Sequence, residues 1–185
     1  MALEREIKLR FDSAGEARTR VAALGATPLR GRRLQEDALL DTADNALGAQ
    51  RCALRLRREA GTSLLTFKGP PQPGSMKVRE EHETPVGNGD ALLTILQALG
   101  LHTRFCYQKY REEFASGSVV IAIDETPVGV FVELEGSEAH INDVAGRLGF
   151  TPRDYITDSY RMLFEQRRGG QDGAADMVFV DPSAP

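Results

Sequence analysis

The chain has 185 residues, of which 41% are hydrophobic and 27% charged, and its formal net charge is −4. These values predict one globular domain with a substantial core, and they exclude a general nucleic-acid binder while leaving room for a local basic pocket. The two cysteines match no disulfide or metal spacing, no apolar run reaches the roughly 20 residues of a membrane span, and the N-terminus has no signal-peptide pattern, so we expect a soluble, cytoplasmic protein.

The first two predicted elements are a strand and a helix. The stretch LEREIKLRF, residues 3–11, alternates charged and apolar residues with the period of two that is typical of a strand. Ser13 and Glu16 then form the capping-box pattern of a helix that Gly25 ends.

Extended segments follow from residue 27. CALRLRRE and SLLTFKG are joined by the turn AGT into a predicted hairpin, and MKVREEHET is extended after the loop GPPQPGS. A helix over residues 90–99 precedes three strands, FCYQKYREEF, SVVIAID and GVFVELEG, and two more helices lie in SEAHINDVAGRLG and TDSYRMLFEQRR. We expect a folded domain over residues 1–168 and a disordered tail over residues 169–185, where Gly, Ala, Asp and Pro dominate.

One face of nearly every predicted strand carries charged residues. Acidic pairs at alternate positions are Glu4/Glu6, Glu81/Glu83 and Glu133/Glu135, and basic pairs are Arg55/Arg57 and Lys109/Arg111. On a single strand, such a face is usually solvated surface. Solubility does not explain three acidic pairs, however, because carboxylates about 7 Å apart on one strand repel each other unless a cation lies between them.

A closed or nearly closed barrel explains the whole pattern. We therefore predict an α+β protein with an eight-stranded antiparallel β-barrel, whose charged side chains line the lumen and whose apolar outer face packs under the helices. The acids would bind metal ions and the bases a polyanion. About six cationic side chains suit a triphosphate, and phosphoryl transfer needs mainly positioning and charge neutralisation.

The motifs in their order resemble the CYTH superfamily, also called triphosphate tunnel metalloenzymes, which includes class IV adenylyl cyclases, thiamine triphosphatases and inorganic triphosphatases. The match starts with EREIKL, an E-x-E-x-K signature, and continues with LRLR, LTFKGP, VREEHE, KYR, AIDETPVGVFVELEG and SYRMLF. It extends from residue 3 to about residue 164, nearly the whole predicted domain.

This resemblance implies a tunnel that binds a triphosphate together with Mg²⁺ or Mn²⁺, and it assigns roles by position. The implied metal ligands or their close support are Glu4, Glu6, Glu81, Glu83, Asp124, Glu133 and Glu135. The implied phosphate-binding residues are Lys8, Arg55, Arg57, Lys68, Arg79, Lys109 and Arg111. Lys8, the signature lysine, is also the candidate catalytic residue that orients or activates the nucleophile.

These residues serve two reactions equally well. We favour metal-dependent triphosphate hydrolysis, with ATP cyclisation to cyclic AMP and pyrophosphate as the alternative, because no adenine pocket is recognisable. A non-catalytic polyphosphate-binding barrel is the third interpretation. The expected partner is a small-molecule triphosphate, not a nucleic acid or a membrane. A homodimer is compatible with the sequence, which does not determine the oligomeric state.

Several other charged positions are assigned less active roles. Lys77 and Arg10 share the lumenal parity but lie near strand ends, so we expect them at the rim. The run RGRR, residues 30–33, is interpreted as a solvated bend. Asp37 and Asp41 are expected to shape the chain reversal rather than to bind metal.

Overall fold

The computed structural model describes residues 2–169 and 175–180. Its strands are β1 (Ala2–Phe11), β2 (Thr27–Thr42), β3 (Ala53–Glu59), β4 (Thr62–Lys68), β5 (Lys77–Val86), β6 (Leu101–Ser116), β7 (Val119–Thr126) and β8 (Gly129–Glu135). Its helices are α1 (Ala14–Ala23), α2 (Ala46–Ala49), α3 (Gly89–Ala98), α4 (Glu138–Arg147) and α5 (Tyr160–Arg168). Within this part of the chain, none of the helices combines the length and hydropathy that a membrane crossing requires.

The eight strands form a closed barrel in the order β1-β5-β4-β3-β2-β6-β7-β8, with all neighbours antiparallel. The predicted α+β fold with an eight-stranded antiparallel barrel is therefore confirmed. Because the neighbours are antiparallel, the start of β1 and the ends of β3 and β8 lie at one end of the barrel. We call it the first end, and the opposite one, where β6 and β8 start, the second end.

The apolar outer face of the barrel packs under two helices, as the alternation predicted. Ile7 and Leu9 of β1 are fully buried with Ile121 of β7 and Leu134 of β8. Side chains of α1 and α4 cover them, namely Ala17, Val21, Ile141, Val144, Ala145 and Leu148. Each large aliphatic side chain buried there stabilises the fold by about 1.5–3 kcal/mol. This hydrophobic core lies outside the barrel, and polar groups line the lumen.

The second end of the barrel is packed with aromatic residues. Tyr160 and Leu163 of α5 lie against Phe105 and Tyr107 of β6 and Phe131 of β8. The Tyr160 ring lies 5.6 Å from that of Phe131 and 6.4 Å from that of Tyr107. Helix α5 therefore inserts a tyrosine into the barrel at this end.

Polar side chains cap the starts of two helices. Asn88 caps α3 by accepting a hydrogen bond from the Ala91 amide at 2.9 Å. Ser159 caps α5 by accepting from the Met162 amide at 3.2 Å. Both caps are residue types that favour this position.

The prediction of disorder from residue 169 onward is wrong for residues 175–180. Met177 is fully buried and pairs in parallel with Tyr107, and its amide donates to the Cys106 carbonyl at 2.9 Å. Phe179 packs on Tyr110 at 5.2 Å between ring centroids. Strand β7 pairs with residues 110–116 of β6. The segment around Met177 lies beside the earlier part of β6, which β7 does not reach, and extends the sheet there. The rest of the predicted tail beyond Gly169 lies outside the described residues.

The RGRR run is not a solvated bend. It belongs to β2, where the pairing with β6 shifts register. Arg33 lies 2.9 Å from Glu59 and 2.7 Å from Glu113, and Arg32 stacks 3.6 Å above the Tyr110 ring. The arginines therefore bind across the sheet at the first end, an arrangement that depends on strand neighbours and is invisible in the local sequence.

Candidate active site

The barrel encloses one large cavity of about 1510 Å³. Side chains from β1 to β6, from β8 and from the start of α5 line it. Every residue predicted for the site contributes to this lining except Asp124. The alternation pattern therefore located the lumenal residues correctly, while their individual roles stay predictions.

Four carboxylates on three adjacent strands form what we call the acidic wall: Glu4 and Glu6 of β1, Glu81 of β5 and Glu135 of β8. Glu6 lies directly across from Glu135 in the sheet. Two lysines reach into the group, Lys68 to Glu4 at 2.6 Å and to Glu81 at 3.3 Å, and Lys77 to Glu6 at 2.6 Å.

Negative charge on the acidic wall exceeds what these lysines neutralise. Burial, and then repulsion from Glu6, raise the pKa of Glu4 to about 7. Burial, and then Glu6 and Glu81, likewise raise the pKa of Glu135. The lysines instead lower the pKa values of Glu6 and Glu81 against the effect of burial. An additional cation beside Glu4 and Glu135 would therefore favour the ionised form of both.

The opposite side of the lumen is basic. Arg55 and Arg57 of β3 and Lys109 and Arg111 of β6 flank β2 and form what we call the basic wall. Two buried aspartates, Asp37 of β2 and Asp124 of β7, hold these cationic side chains in position, and each binds one pair.

Asp37 anchors the two arginines of β3. Arg57 donates to its two oxygens at 2.8 and 3.2 Å, and Arg55 Nε lies 3.5 Å away. Arg55 also donates to Thr66 at 3.1 Å, but its buried Nε has no hydrogen-bond acceptor among the described residues. A buried guanidinium N–H that lines a cavity without an acceptor is suited to a phosphate oxygen.

Asp124 anchors the two cations of β6. It accepts from Lys109 at 2.8 Å, from Arg111 at 2.7 and 2.6 Å, and from the Tyr160 hydroxyl at 2.7 Å. Burial raises its own charging cost, but Arg111 and Lys109 lower its pKa. Its lone pairs are used by these donors and it lies behind the lumen lining. The geometry therefore favours an anchoring role over the metal-ligand role that the resemblance implied.

The basic wall carries an excess of positive charge, the reverse of the acidic wall. Burial, and then repulsion from Arg111, lower the pKa of Lys109 to about 8. Asp124 and Glu133 act in the opposite direction without compensating. A polyanion bound against Lys109 would remove this repulsion.

Lys8 lies between the two walls. Its ammonium is 3.2 Å from Glu6, 3.4 Å from Glu133 and 5.2 Å from the centre of the Tyr160 ring. Burial alone would lower its pKa, but Glu6 and Glu133 raise the pKa above its usual value. Lys8 thus keeps its proton at neutral pH, which suits orienting a nucleophile or a phosphate oxygen but not accepting a proton.

The acidic wall fits a divalent cation in chemistry, although lysines now occupy it. Carboxylate oxygens are the ligands that Mg²⁺ and Mn²⁺ prefer. Among residues 2–169 and 175–180, no three His, Cys, Asp or Glu side chains are arranged to hold one ion as they stand. A cation would favour the ionised forms of Glu4 and Glu135, whose pKa values are raised by burial and by neighbouring carboxylates, and Lys68 is the group that it would displace.

Three residues predicted to bind metal or phosphate contact other groups of the protein in this structure. Arg79 donates to the backbone carbonyls of Gly69 at 2.7 Å and Arg51 at 2.9 Å, so it fixes the loop after β4. Glu83 accepts from Thr66 at 2.9 Å. Glu133 is bound by Arg111. Burial would raise the pKa of Glu133, but Arg111 holds it well below its ordinary value.

Sequence reasoning missed or misplaced several lumenal residues. Lys77, expected at the rim, binds Glu6 inside the barrel, whereas Arg10 does lie at an end, above the Phe131 ring at 4.6 Å. The alternation of Gln35 and Asp37 in LQEDAL could have revealed both. Tyr160 gave no comparable signal, because it lies on a helix, where the strand period does not apply. Asp41 does shape the reversal, accepting from the Leu47 and Gly48 amides.

The chain is similar to known proteins in sequence and in fold. The CYTH domain matches residues 2–148. A "putative adenylate cyclase" of Methanocaldococcus jannaschii is 30% identical over 142 residues, 76% of this chain and 81% of that protein.

Two solved structures are similar in fold. One is a "putative adenylate cyclase" from Vibrio parahaemolyticus, with a TM-score of 0.78 and 21% identity, over 88% of this chain and 98% of that one. The other is a "putative adenylyl cyclase" from Hippeastrum, with a TM-score of 0.64 and 18% identity, over 90% and 96% of the two chains. Enzymes of this family are adenylate cyclases or triphosphatases and generally use divalent metal ions. With its family match over most of its length and its closed barrel, the chain belongs to the CYTH domain family.

Proposed function

We propose that the chain binds a triphosphate and divalent cations in its lumen and hydrolyses the triphosphate. The observation that carries the proposal is the opposite charge imbalance of the two walls. Glu4 and Glu135, whose pKa values are raised, lie across one cavity from Lys109, whose pKa is lowered. A metal-bound polyphosphate has the positive and negative charges that would relieve both walls at once.

The residues divide the work by charge. Arg55, Arg57, Lys109 and Arg111 bind phosphate oxygens, with the arginines held in fixed orientations by Asp37 and Asp124. Glu4, Glu6, Glu81 and Glu135 hold Mg²⁺ or Mn²⁺, which would supply charge neutralisation on the phosphates. Lys8, as a permanent ammonium between the walls, orients the attacked phosphate group.

Hydrolysis is favoured over cyclisation. In hydrolysis, water attacks the terminal phosphorus, the diphosphate part of the substrate is the leaving group, and the attacked phosphorus is released as orthophosphate. In cyclisation, the ribose 3′-hydroxyl attacks the α-phosphorus and pyrophosphate leaves. The Hippeastrum protein is described as having a dominant triphosphatase activity although it was named a cyclase. That description supports hydrolysis here as a proposal, and ATP cyclisation remains the second candidate.

A non-catalytic polyphosphate-binding barrel is the third candidate. Binding alone would be strengthened by removing the acidic wall, since its carboxylates repel phosphate. The presence of four such carboxylates in the same lumen as the phosphate-binding residues therefore favours a metal-dependent reaction.

Product analysis decides among the three. The purified protein is incubated with ATP, thiamine triphosphate and tripolyphosphate, each with Mg²⁺ or Mn²⁺, and the products are resolved. Orthophosphate release supports the proposal, cyclic AMP with pyrophosphate replaces it with the cyclase, and binding without turnover replaces it with the third candidate. We further propose a cytoplasmic location, a small-molecule triphosphate as the partner, and no role for nucleic acid or membrane; a homodimer is tested by sedimentation.

A further inference from the structure

A polar site at the first end of the lumen is not used by the walls described above. Gln35 of β2 lies directly across from Glu59 of β3 on one side and from Lys109 of β6 on the other. It lines the cavity, and only 2% of its surface is exposed. Its Nε2 donates to Glu59, while its Oε1 has no hydrogen-bond partner among the described residues.

The orientation of the Gln35 amide is fixed by its neighbour. Glu59 also receives Arg33, whose Nε lies 2.9 Å away, and Arg30. These cations and Gln35 lower the pKa of Glu59 against the effect of burial, so its carboxylate is ionised. An ionised carboxylate accepts hydrogen bonds only, and the amide must therefore turn its NH₂ toward Glu59 and leave its oxygen free.

A triphosphate chain does not satisfy this oxygen. Ionised phosphate oxygens accept hydrogen bonds, as Gln35 Oε1 does, so the two groups repel each other. A buried acceptor without a donor is costly, and such atoms are rare in native proteins. Gln35 Oε1 therefore calls for an N–H or O–H donor, which the phosphates at the basic wall lack.

The lumen near Gln35 has room for an organic group and apolar surface to pack it. The cavity of about 1510 Å³ exceeds the roughly 300–1,000 Å³ of common small-molecule pockets. Leu64 of β4 lies between Arg57 and Pro85 in the sheet, and both Leu64 and Pro85 line the cavity. Apolar side chains combined with an unpaired polar atom are typical of a site that orients an organic ligand.

We propose that Gln35 is a specificity-determining residue that accepts a hydrogen bond from an N–H or O–H of the substrate's organic group. The substrate class is then an organic triphosphate, such as a nucleoside triphosphate or thiamine triphosphate, rather than inorganic tripolyphosphate. The phosphates lie on the basic wall and the organic group extends past Leu64 toward the first end. This inference rests on the proposed triphosphate site and adds to it the identity of what the phosphates carry.

The test measures equilibrium binding without added metal, so that no turnover occurs. Four probes are compared: tripolyphosphate, methyl triphosphate, ATP and thiamine triphosphate; the methyl group of the second has carbon but no donor. Binding is measured for the unaltered protein, for Gln35→Leu, and for Gln108→Leu as a matched control. Gln108 makes a similar bond, to Glu36 at 3.0 Å, but on the outer face of β6.

The expected result has two parts. In the unaltered protein, ATP or thiamine triphosphate binds about five- to tenfold more tightly than methyl triphosphate, the contribution of one neutral hydrogen bond. Gln35→Leu removes this preference and changes tripolyphosphate binding by less than about twofold, whereas Gln108→Leu keeps the preference.

Other outcomes overturn the inference. Equal binding of methyl triphosphate and both organic triphosphates by the unaltered protein means that Gln35 Oε1 is met by water, and this comparison does not depend on whether the variant folds. An equal loss for all four probes in Gln35→Leu assigns Gln35 a structural role. If none of the four probes binds, either without metal or with added Mg²⁺, the proposed triphosphate site itself fails, a result distinct from the loss of discrimination alone.

Discussion

The acidic and basic walls of one lumen are built by opposite means. On the acidic wall, carboxylates stand beside one another and are met by flexible lysines, Lys68 and Lys77. On the basic wall, arginines are locked by buried aspartates, with Asp124 fully buried. A lysine is a point charge on a flexible stem, whereas an arginine fork held by a carboxylate is directional.

Because of this difference, the bonds of the acidic wall can be exchanged for other partners more easily than those of the basic wall. Lys68 can withdraw from Glu4 and Glu81 when a cation arrives, because a lysine is a point charge on a flexible stem. The arginines cannot turn away, so they offer phosphate a fixed set of donors. The acidic wall is therefore an exchangeable site and the basic wall a preorganised one, and this comparison gives the following expectations in decreasing order of free energy.

The largest expected effect comes from removing the anchor of the basic wall. Asp124→Asn takes the counter-charge from Lys109 and Arg111 in a buried site, which should lower the free energy of unfolding by about 3–5 kcal/mol. Urea denaturation measures it. Glu125→Gln, the next residue along β7 with partly exposed ion pairs, should cost about 1 kcal/mol or less. Equal costs for the two variants would show that the anchor is not special.

Removing a charge from the acidic wall should act on metal and turnover instead of on stability. Glu4→Gln should reduce turnover by at least about 100-fold, because metal neutralisation of phosphate contributes several kcal/mol. The melting temperature should hold or rise, since a repelled carboxylate is lost. Glu80→Gln, on the outer face of β5, is the control; turnover and metal affinity equal to the control would refute the metal role of Glu4.

Truncating one preorganised arginine should weaken every triphosphate alike. Arg57→Ala should raise KM by roughly 10- to 150-fold, the 1.5–3 kcal/mol of a charged hydrogen bond. Steady-state kinetics with ATP, thiamine triphosphate and tripolyphosphate measure it, with Arg58→Ala on the outer face as the control. A change confined to one substrate would instead assign Arg57 to recognition of the organic group.

The exchangeable wall should respond to pH. The pKa of Glu4, about 7 in the folded protein, lies above its ordinary value of 4.5. Metal binding requires the ionised form, so affinity should fall by up to about tenfold per pH unit below pH 7 and level off above it. Calorimetric Mg²⁺ or Mn²⁺ titrations between pH 5.5 and pH 8.5 (roughly two pH units about the pKa) test it, and a flat profile would contradict it.

The same shift fixes the sign of the stability change. Between pH 4.5 and pH 7, the folded state holds a proton at Glu4 that the unfolded state has released. This contribution to stability is complete below the unfolded pKa and is lost as the pH rises through 7. Glu4→Gln should therefore reduce the pH dependence of the melting temperature in that interval.

The smallest effect concerns the segment behind the basic wall. Phe179→Ala removes a ring contact with Tyr110 and should lower stability by about 1 kcal/mol, a fall of roughly 2–4 °C in Tm, without affecting turnover. Val180→Ala, at a residue that is 87% exposed, should change nothing. A Phe179→Ala protein as stable as the control would restore the expectation of a tail without structure.

The alternation of Glu4, Glu6 and Lys8 with Ile7 and Leu9 was sufficient to assign these charged side chains to the lumen. Side chains two apart share a face in any strand, so the local sequence reports the face directly. The family resemblance and the barrel prediction, both confirmed, rest on the same regularity repeated along the chain.

The partners of those residues were not predictable in the same way. Asp124 shares the parity of a lumenal residue, yet three donors, one of them on α5, hold it behind the lining. Gln35 needs Glu59 for its orientation, and β2 and β3 must be neighbours for the two to meet. Such contacts join residues far apart in sequence, and no local period encodes them.

The sequence alone determined which side chains would face the inside of this protein, because a strand's pleat sends successive residues to opposite faces wherever it lies. Which of those charged side chains contact each other could be learned only from the three-dimensional structure. That depends on strand order, on the docking of α5 and on the return of residues 175–180 to β6. Coulomb interactions and burial act through space rather than along the chain, so the pKa values of Glu4 and Lys109 emerge only when the barrel closes.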